Sequence, residues 1–314
     1  MKDNVNKIVI NFLKGQGLGN QLWVFFSGIG ISNKLNCNVE FGNGKFFKGF
    51  FLIKKKFIKK NFIEVKRKYL IKESYDLLTN LEVTNYNIEI KNIKKILNNS
   101  DLEILGSLQN RNFIPNKKIF LKYLKFKSLK LNSRCTIHIR GGDYKNTIVK
   151  PSKKFYEGSI KFFSKKKISI ITDDKEYASS LLPNYSILKS RKNHWDYLTN
   201  DHHFSTGIKK DFLNIARSKY NIISASTFSF WASYIGSLFL KKKIVAPAFW
   251  FANRVSNSWW SPMNMYIKDW IYINKYGEKV KNLNINSRPL ISVHSKQNKY
   301  LNFIIRKIIN LISY

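Results

Sequence analysis

The chain is short of acid and of cysteine. Against 56 Lys and Arg it carries 19 Asp and Glu, a net charge of +37, and its two cysteines, Cys37 and Cys135, lie far apart. Two thiols so spaced form neither a disulfide framework nor a zinc-ligand set, and they fit a reducing compartment. A signal peptide is not expected either, because the apolar run before Gly15 is too short for one. A field of +37 attracts polyanions in general. Yet there is no RNP-type aromatic pair, no zinc spacing and no helix-turn-helix pattern, so no nucleic acid is expected as a partner. Nearly all the excess is lysine, amid much Asn and Ile, a bias that an AT-rich coding sequence produces unaided.

What is present is enough for a sizeable core: 44% of the 314 residues are hydrophobic and 15% aromatic. That length suggests two domains at roughly 100–200 residues each. The stretch Asn221–Leu240 is uncharged over the length of a membrane span. However, Ser224, Ser226, Thr227, Ser229, Ser233 and Ser237 recur through it, which favours a buried strand passing through a polar turn into a buried helix.

Short β-branched runs alternate with helical stretches. Lys7–Leu13 is strand-like and stops at Gly15-Gln16-Gly17-Leu18-Gly19-Asn20-Gln21, and a buried helix follows. Strand, glycine turn and helix open a Rossmann-like unit. The turn is not a dinucleotide fingerprint, since Asn20 replaces the last glycine of GxGxxG, but its glycines still allow close backbone approach to an anion. Leu102–Phe113 reads as a strand and polar loop. Further strands are expected at Cys135–Ile139, Ile168–Ile171, Ile222–Ile223 and Lys243–Ala246, with helices around Tyr156–Phe163 and Lys209–Ser218. This alternation implies a parallel α/β sheet, whose ligands bind beyond the carboxyl ends of the strands. The polar clusters stand at those ends: His138–Asp143, Asp173-Asp174 and Ser226–Ser229.

Arg140 is the residue best suited to hold a diphosphate. Its charge is permanent and its donors form a fork, it stands at a strand end beside glycines, and arginine is scarce in this lysine-rich chain. Its alternative role is an ion pair with Asp143. The last segment, Lys296–Tyr314, puts Leu301, Ile304, Ile305, Ile308, Ile309 and Ile312 on one helical face, with Lys299, Arg306 and Lys307 elsewhere. Two placements suit it equally, an anionic membrane surface or the protein core.

The segment His138-Ile139-Arg140-Gly141-Gly142-Asp143-Tyr144 resembles the HxRRGDY motif of α-1,2-fucosyltransferases (glycosyltransferase family 11-like). It is also similar to the first shared element of the wider α1,2/α1,6/protein-O-fucosyltransferase superfamily. Gly15–Gln21 resembles their GGLGNQ, Gly106–Gln109 with Phe113 their GYFQ…YF, and Phe155-Tyr156 their YY. Ile171–Asp174 resembles FSDD, Asp211 with Ser226–Trp231 resembles D…NSTFSWW, and Pro247 with Trp250 resembles PxxWF. The elements occur in the family's order, from about residue 7 to 270.

The resemblance implies an α/β, GT-B-like fold of two Rossmann-like domains facing a cleft. Residues 1–130 would form an acceptor-side domain and 131–275 a GDP-fucose-binding domain, with 276–314 a basic tail carrying the amphipathic helix. It implies inversion without a metal ion or cofactor, moving fucose from GDP-fucose to a galactose 2-hydroxyl of a glycan acceptor. Carried over residue by residue, His138 would meet the guanine or ribose edge, and Arg140 the β-phosphate and fucose. Asp173 and Asp174 would act around the base and site framework, and Asp211 would help fix the nucleotide. Thr227 and Ser229, following Ser226, would hydrogen-bond phosphate, and Asn20 would reach the fucose side. Asp143 is a candidate base, with orientation of Arg140 as its alternative role.

Two departures matter. Gly141 stands where the family has its second Arg, and Ala225 where it has Asn. Both leave open a second reading, a catalytically weakened homologue that binds a nucleotide sugar or glycan. A lipopolysaccharide or capsule acceptor would suit a cytoplasmic enzyme held peripherally at the inner membrane.

Overall fold

The β-branched runs become the inner strands of two parallel sheets. The computed structural model describes, in full or by backbone alone, residues 7–12, 15–57, 62–63, 70–72, 94, 102–105, 109, 111–126, 128–142, 144, 150–163, 166–188, 204–248, 250–251, 259–260 and 266–281. The first sheet contains β1 (Lys7–Asn11), β2 (Asn38–Gly42), β3 (Phe62–Ile63), β4 (Leu70–Lys72) and β5 (Leu102–Leu105), ordered β3-β2-β1-β5-β4. Every pairing in it is parallel. β1 lies at its centre, with Ile8 and Ile10 wholly buried. Burial on both faces is what an apolar run of this kind meets in a parallel sheet.

The second sheet contains β6 (Asn132–Ile139), β7 (Ile168–Thr172), β8 (Ser218–Ile222), β9 (Lys243–Pro247) and β12 (Ile271–Ile273), ordered β12-β9-β8-β6-β7 and again all parallel. Between β9 and β12, β10 (Trp250–Phe251) and β11 (Trp259–Trp260) make a separate antiparallel pair. The chain is thus α/β with two parallel-sheet units, the GT-B-like arrangement expected.

The helices α1 (Leu18–Leu35), α2 (Lys117–Tyr123), α3 (Lys153–Ile160), α4 (Lys175–Leu181), α5 (Phe204–Arg217) and α6 (Thr227–Phe239) connect or cover these strands. Asn221–Leu240 resolves into the end of β8, a polar turn and α6, so its serines mark a strand-to-helix transition. Among the described residues no helix is long and apolar enough to cross a membrane.

The two units share one apolar core across α1 and α6. Trp23 of α1 stacks on Phe230 and meets Trp231 edge-on, with centroids 5.1 and 4.9 Å apart. Phe26 of α1 lies parallel to Phe120 of α2. Aromatic pairs in these offset and edge-to-face arrangements contribute beyond their buried area. A second cluster under β6 and β7 contains Cys135, Ile137, Ile139, Phe155 and Tyr156. Both thiols are free, and burial pushes Cys135 up to about 12 and Cys37 up to about 11.

Strand order places the site. In each sheet the order reverses beside one central strand, β1 in the first and β6 in the second. The crevice beyond such a switch point is where open parallel sheets bind ligands. The loop after β1 leads into α1, whose first turn carries Asn20, and the loop after β6 carries Arg140.

Candidate functional site

Arg140 follows the last residue of β6 and its guanidinium pairs with Asp173 at the end of β7. Nη1 donates to Asp173 Oδ2, with side-chain exposures of 16% and 7%. Asp173 Oδ1 accepts from the Gly141 amide at 2.8 Å. One carboxylate therefore fixes both the arginine side chain and the backbone of the next residue. The partner is Asp173 because β6 and β7 run parallel with Ile139 opposite Thr172, which brings their following residues together. A guanidinium has five N–H donors, more than one carboxylate can take. The pair therefore orients the fork. The ring of Tyr144 lies 5.8 Å from the Arg140 guanidinium carbon. Asp143 lies outside the described residues.

Asp174 takes a different part. Its Oδ1 accepts from the Tyr177 amide at 3.0 Å and caps α4, while its own amide donates to Thr172 Oγ1. This fixed side chain fills the space beside Gly141, where an added Cβ would overlap the Asp174 Cβ. Gly141 is therefore a steric requirement of this chain as well as a lost charge. Tyr156 of α3 is wholly buried, and among the described residues its hydroxyl has no hydrogen-bond partner. Burial holds that phenol well above its usual range, with Tyr177 and Asp173 adding to the effect.

His138, inside β6, is buried, with Nδ1 2.8 Å from Ser224 Oγ. Its ring lies against Phe228, centroids 5.7 Å apart. It thus joins the ends of β6 and β8 under the first turn of α6. Ser226 is the N-cap of α6 without a side-chain cap bond, and the first turn of that helix has no acidic residue. The same holds for α1 at Gly17. These two N-termini meet: a Cβ on Gly19 would overlap the Phe228 amide and the Thr227 backbone. Positive helix ends brought together, neither offset by a nearby acid in its first turn, favour an anion.

The loop after β1 is pinned by amides. Gly15 takes φ +82°, a value that favours glycine. Gln21 Nε2 donates to the carbonyls of Gln16 and Phe46, and its Oε1 accepts from the Lys48 amide at 2.7 Å. Asn20 Oδ1 accepts from two sides, from Gln109 Nε2 and from Thr227 Oγ1, each at 3.0 Å. The second of these bonds joins the two units. Two residues beyond Gln109, Arg111 makes another link, donating to the Tyr266 carbonyl at 2.8 Å with its guanidinium carbon 5.4 Å from that ring.

Several of the expected residues are drawn together by hydrogen bonds, with three differences. Ser229 is fully buried and its hydroxyl donates within the first turn of α6, to the Ser226 carbonyl at 3.1 Å. It does not face phosphate in this geometry. Thr227 spends its one hydroxyl proton on Asn20, so phosphate would have to take that proton over. Asp211 is buried on α5, and the carboxylate that holds Arg140 Nη1 and the Gly141 amide is Asp173 instead. Sequence reasoning passed over Gln21, Gln109 as a partner of Asn20, and Ser224 as a partner of His138. The GQGLGNQ and GSLQ segments drew attention to two of them but carried no sign of their partners. Among the described residues, no three of His, Cys, Asp and Glu gather as metal ligands do.

No known protein-family model matches the chain. Over 288 residues, 80% of this chain and 95% of the relative, it is 25% identical to an alpha-1,2-colitosyltransferase of Escherichia coli. Among solved structures it is similar to NodZ alpha-1,6-fucosyltransferase soaked with GDP-fucose, at TM-score 0.44 and 12% identity, covering 81% of this chain and 97% of that one. It is also similar to the E. coli heptosyltransferase WaaC with ADP, at TM-score 0.42 and 8% identity, covering 97% and 99%.

Proposed function

We propose that this chain is an inverting glycosyltransferase that moves fucose, or a closely related deoxyhexose such as colitose, from its GDP-linked donor to the 2-hydroxyl of a galactose in a surface glycan. The observation that carries the reading is the meeting of the α1 and α6 N-termini, in a chain whose Arg140, held by Asp173, stands at the end of β6 beside the switch point of the second sheet. Likeness to a colitosyltransferase along nearly its whole length supports the sugar class.

In this mechanism an oxygen of the acceptor attacks the anomeric carbon from the face opposite the diphosphate. The carbon–oxygen bond to the β-phosphate breaks, and its electron pair leaves with GDP. Charge grows on the diphosphate as that bond opens, and donors fixed in advance stabilise it more in the transition state than in the ground state. Arg140 supplies a permanent cation and the α6 N-terminus supplies backbone dipoles, so neither a metal nor a cofactor is required. The acceptor proton needs a base; Asp143, three residues beyond Arg140, is the proposed one. Asp173 holds Arg140, Asp174 shapes the turn, and His138 and Asp211 belong to the nucleotide end, with Asn20 on the sugar side. Residues 1–130 form the acceptor side and 131–275 the donor side. The amphipathic segment Lys296–Tyr314, outside the described residues, would lie on an anionic membrane surface or dock on the protein core, two placements its pattern suits equally.

The test is a screen of purified protein with GDP-fucose and GDP-colitose against galactosides, with product linkage read by NMR. An α-1,2-linked product is expected. GDP binding without transfer to any acceptor would replace this reading with that of a binding homologue, which Gly141 and Ala225 favour.

A further inference from the structure

We infer that Gln109 is a positioning residue that sets which end of the Asn20 amide faces the sugar. The inference rests on the function proposed above. A carboxamide side chain presents an oxygen at one end and two N–H donors at the other. The two ends are similar in shape and opposite in polarity, so only its partners decide its orientation. Asn20 lies in the first turn of α1, half-buried at the meeting of the two units. Its oxygen accepts from Gln109 Nε2 and Thr227 Oγ1, at 3.0 Å each. With both lone pairs occupied, the Nδ2 group is the end left for a ligand, and among the described residues neither of its hydrogens has a partner.

Gln109 is well placed for this task. It is 7% exposed and follows β5, whose pairing with the central strand β1 brings it beside the α1 N-terminus. Arg111, two residues on, ties the same segment to the Tyr266 carbonyl of the second unit. Gln109 is thus held at both flanks and donates to Asn20 from a fixed position. Thr227 cannot do the job alone. Its hydroxyl belongs to the first turn of α6, at the proposed diphosphate site, and a phosphate oxygen that claimed its proton would release Asn20. Gln109 would then be the donor that still holds the amide oxygen. The consequence is a pair of fixed donors aimed at an oxygen of the transferred sugar or its acceptor.

Polarity is the test, because a merely structural glutamine would respond to shape. Gln109→Glu keeps the shape but sets a carboxylate against the Asn20 oxygen, which turns the amide around. Gln109→Met keeps the bulk and removes the donor without opposing the oxygen. At saturating donor and acceptor, kcat is expected to fall about tenfold or more in Gln109→Glu and by less in Gln109→Met, with thermal stability of the two alike. In an Asn20→Ala background the two variants should become equal. Full activity in Gln109→Glu with reduced activity in Gln109→Met would mean the amides run the opposite way and would overturn the inference. A difference that persists without Asn20 would also overturn it, since Gln109 would then act through its charge alone. A second readout does not depend on turnover. Side-chain amide exchange should be slow at Gln109 Nε2 and fast at Asn20 Nδ2; the reverse order would refute the inference even if no donor were ever turned over.

Discussion

The two strand-end loops that meet at the site are built from different chemistry. On the first sheet's side the fixed side chains are neutral amides: Asn20, Gln21 and Gln109, pinned by hydrogen bonds to backbone, including the Gln16 carbonyl, and to one another, with Lys48 behind them. On the second sheet's side they are charged or titratable: Arg140 locked to Asp173, Asp174 capping a helix, and His138 tied to Ser224. A sugar offers hydroxyls, which neutral donors and acceptors can match, whereas a diphosphate offers charge. On the function proposed above, this asymmetry would divide the labour, with the second unit serving the leaving group and the first the sugar.

The largest effect expected is at the charged side. Arg140→Ala should reduce turnover by about 10²–10³, measured as initial rate at saturating donor, with unfolding temperature unchanged. An equal loss from an amide on the neutral side would remove the contrast. Next comes the seam between the sides. Gly19→Ala forces a methyl against the backbone of α6 and should cost about 1–3 kcal/mol by denaturant unfolding, as overpacking does. It should also disturb Asn20 more than Arg140.

A smaller change is expected from Asp174→Ala, which removes the α4 cap and should lower stability by about 1 kcal/mol. Because alanine keeps the Cβ that a methyl at Gly141 would overlap, Asp174→Ala should not rescue Gly141→Ala, whereas Asp174→Gly, which removes that Cβ, should make Gly141→Ala better tolerated. A further prediction, read as a pH slope, sharpens the electrostatics behind α6. Lys242 Nζ donates to the Ile215 and Ala216 carbonyls at the end of α5, and burial lowers it to about 7 from 10.5. The unfolded chain therefore binds the extra proton between those values. Stability contributed by this residue rises with pH from about 7 to 10.5 and is flat below. Lys242→Met should remove that slope from urea midpoints measured across this range.

Much of the fold could be read from β-branched runs. β1, β6, β7, β8 and β9 are buried strands in which Val and Ile leave few alternatives. β2, Asn38–Gly42, carries two apolar residues among polar ones and was not recognised, and β12 was missed for its three-residue length. At the site the residue types were legible but several partners were not. Asp143 is the acid nearest Arg140 in sequence, yet the described partner is Asp173, 33 residues on, because parallel pairing of β6 and β7 sets their ends side by side. The Asn20–Thr227 bond spans 207 residues and depends on how two helices from different sheets meet. Local pattern reports which residues can do chemistry; strand register and helix packing decide with whom.

The division between the two sides is tested most directly by calorimetric titration of GDP into wild type, Arg140→Ala and Asn20→Ala. Arg140→Ala should weaken GDP binding about tenfold or more, as loss of a charge-assisted contact does. Asn20→Ala should bind GDP like wild type while its turnover falls, though by less than in Arg140→Ala. Undiminished GDP affinity in Arg140→Ala, or an equal loss in Asn20→Ala, would contradict it.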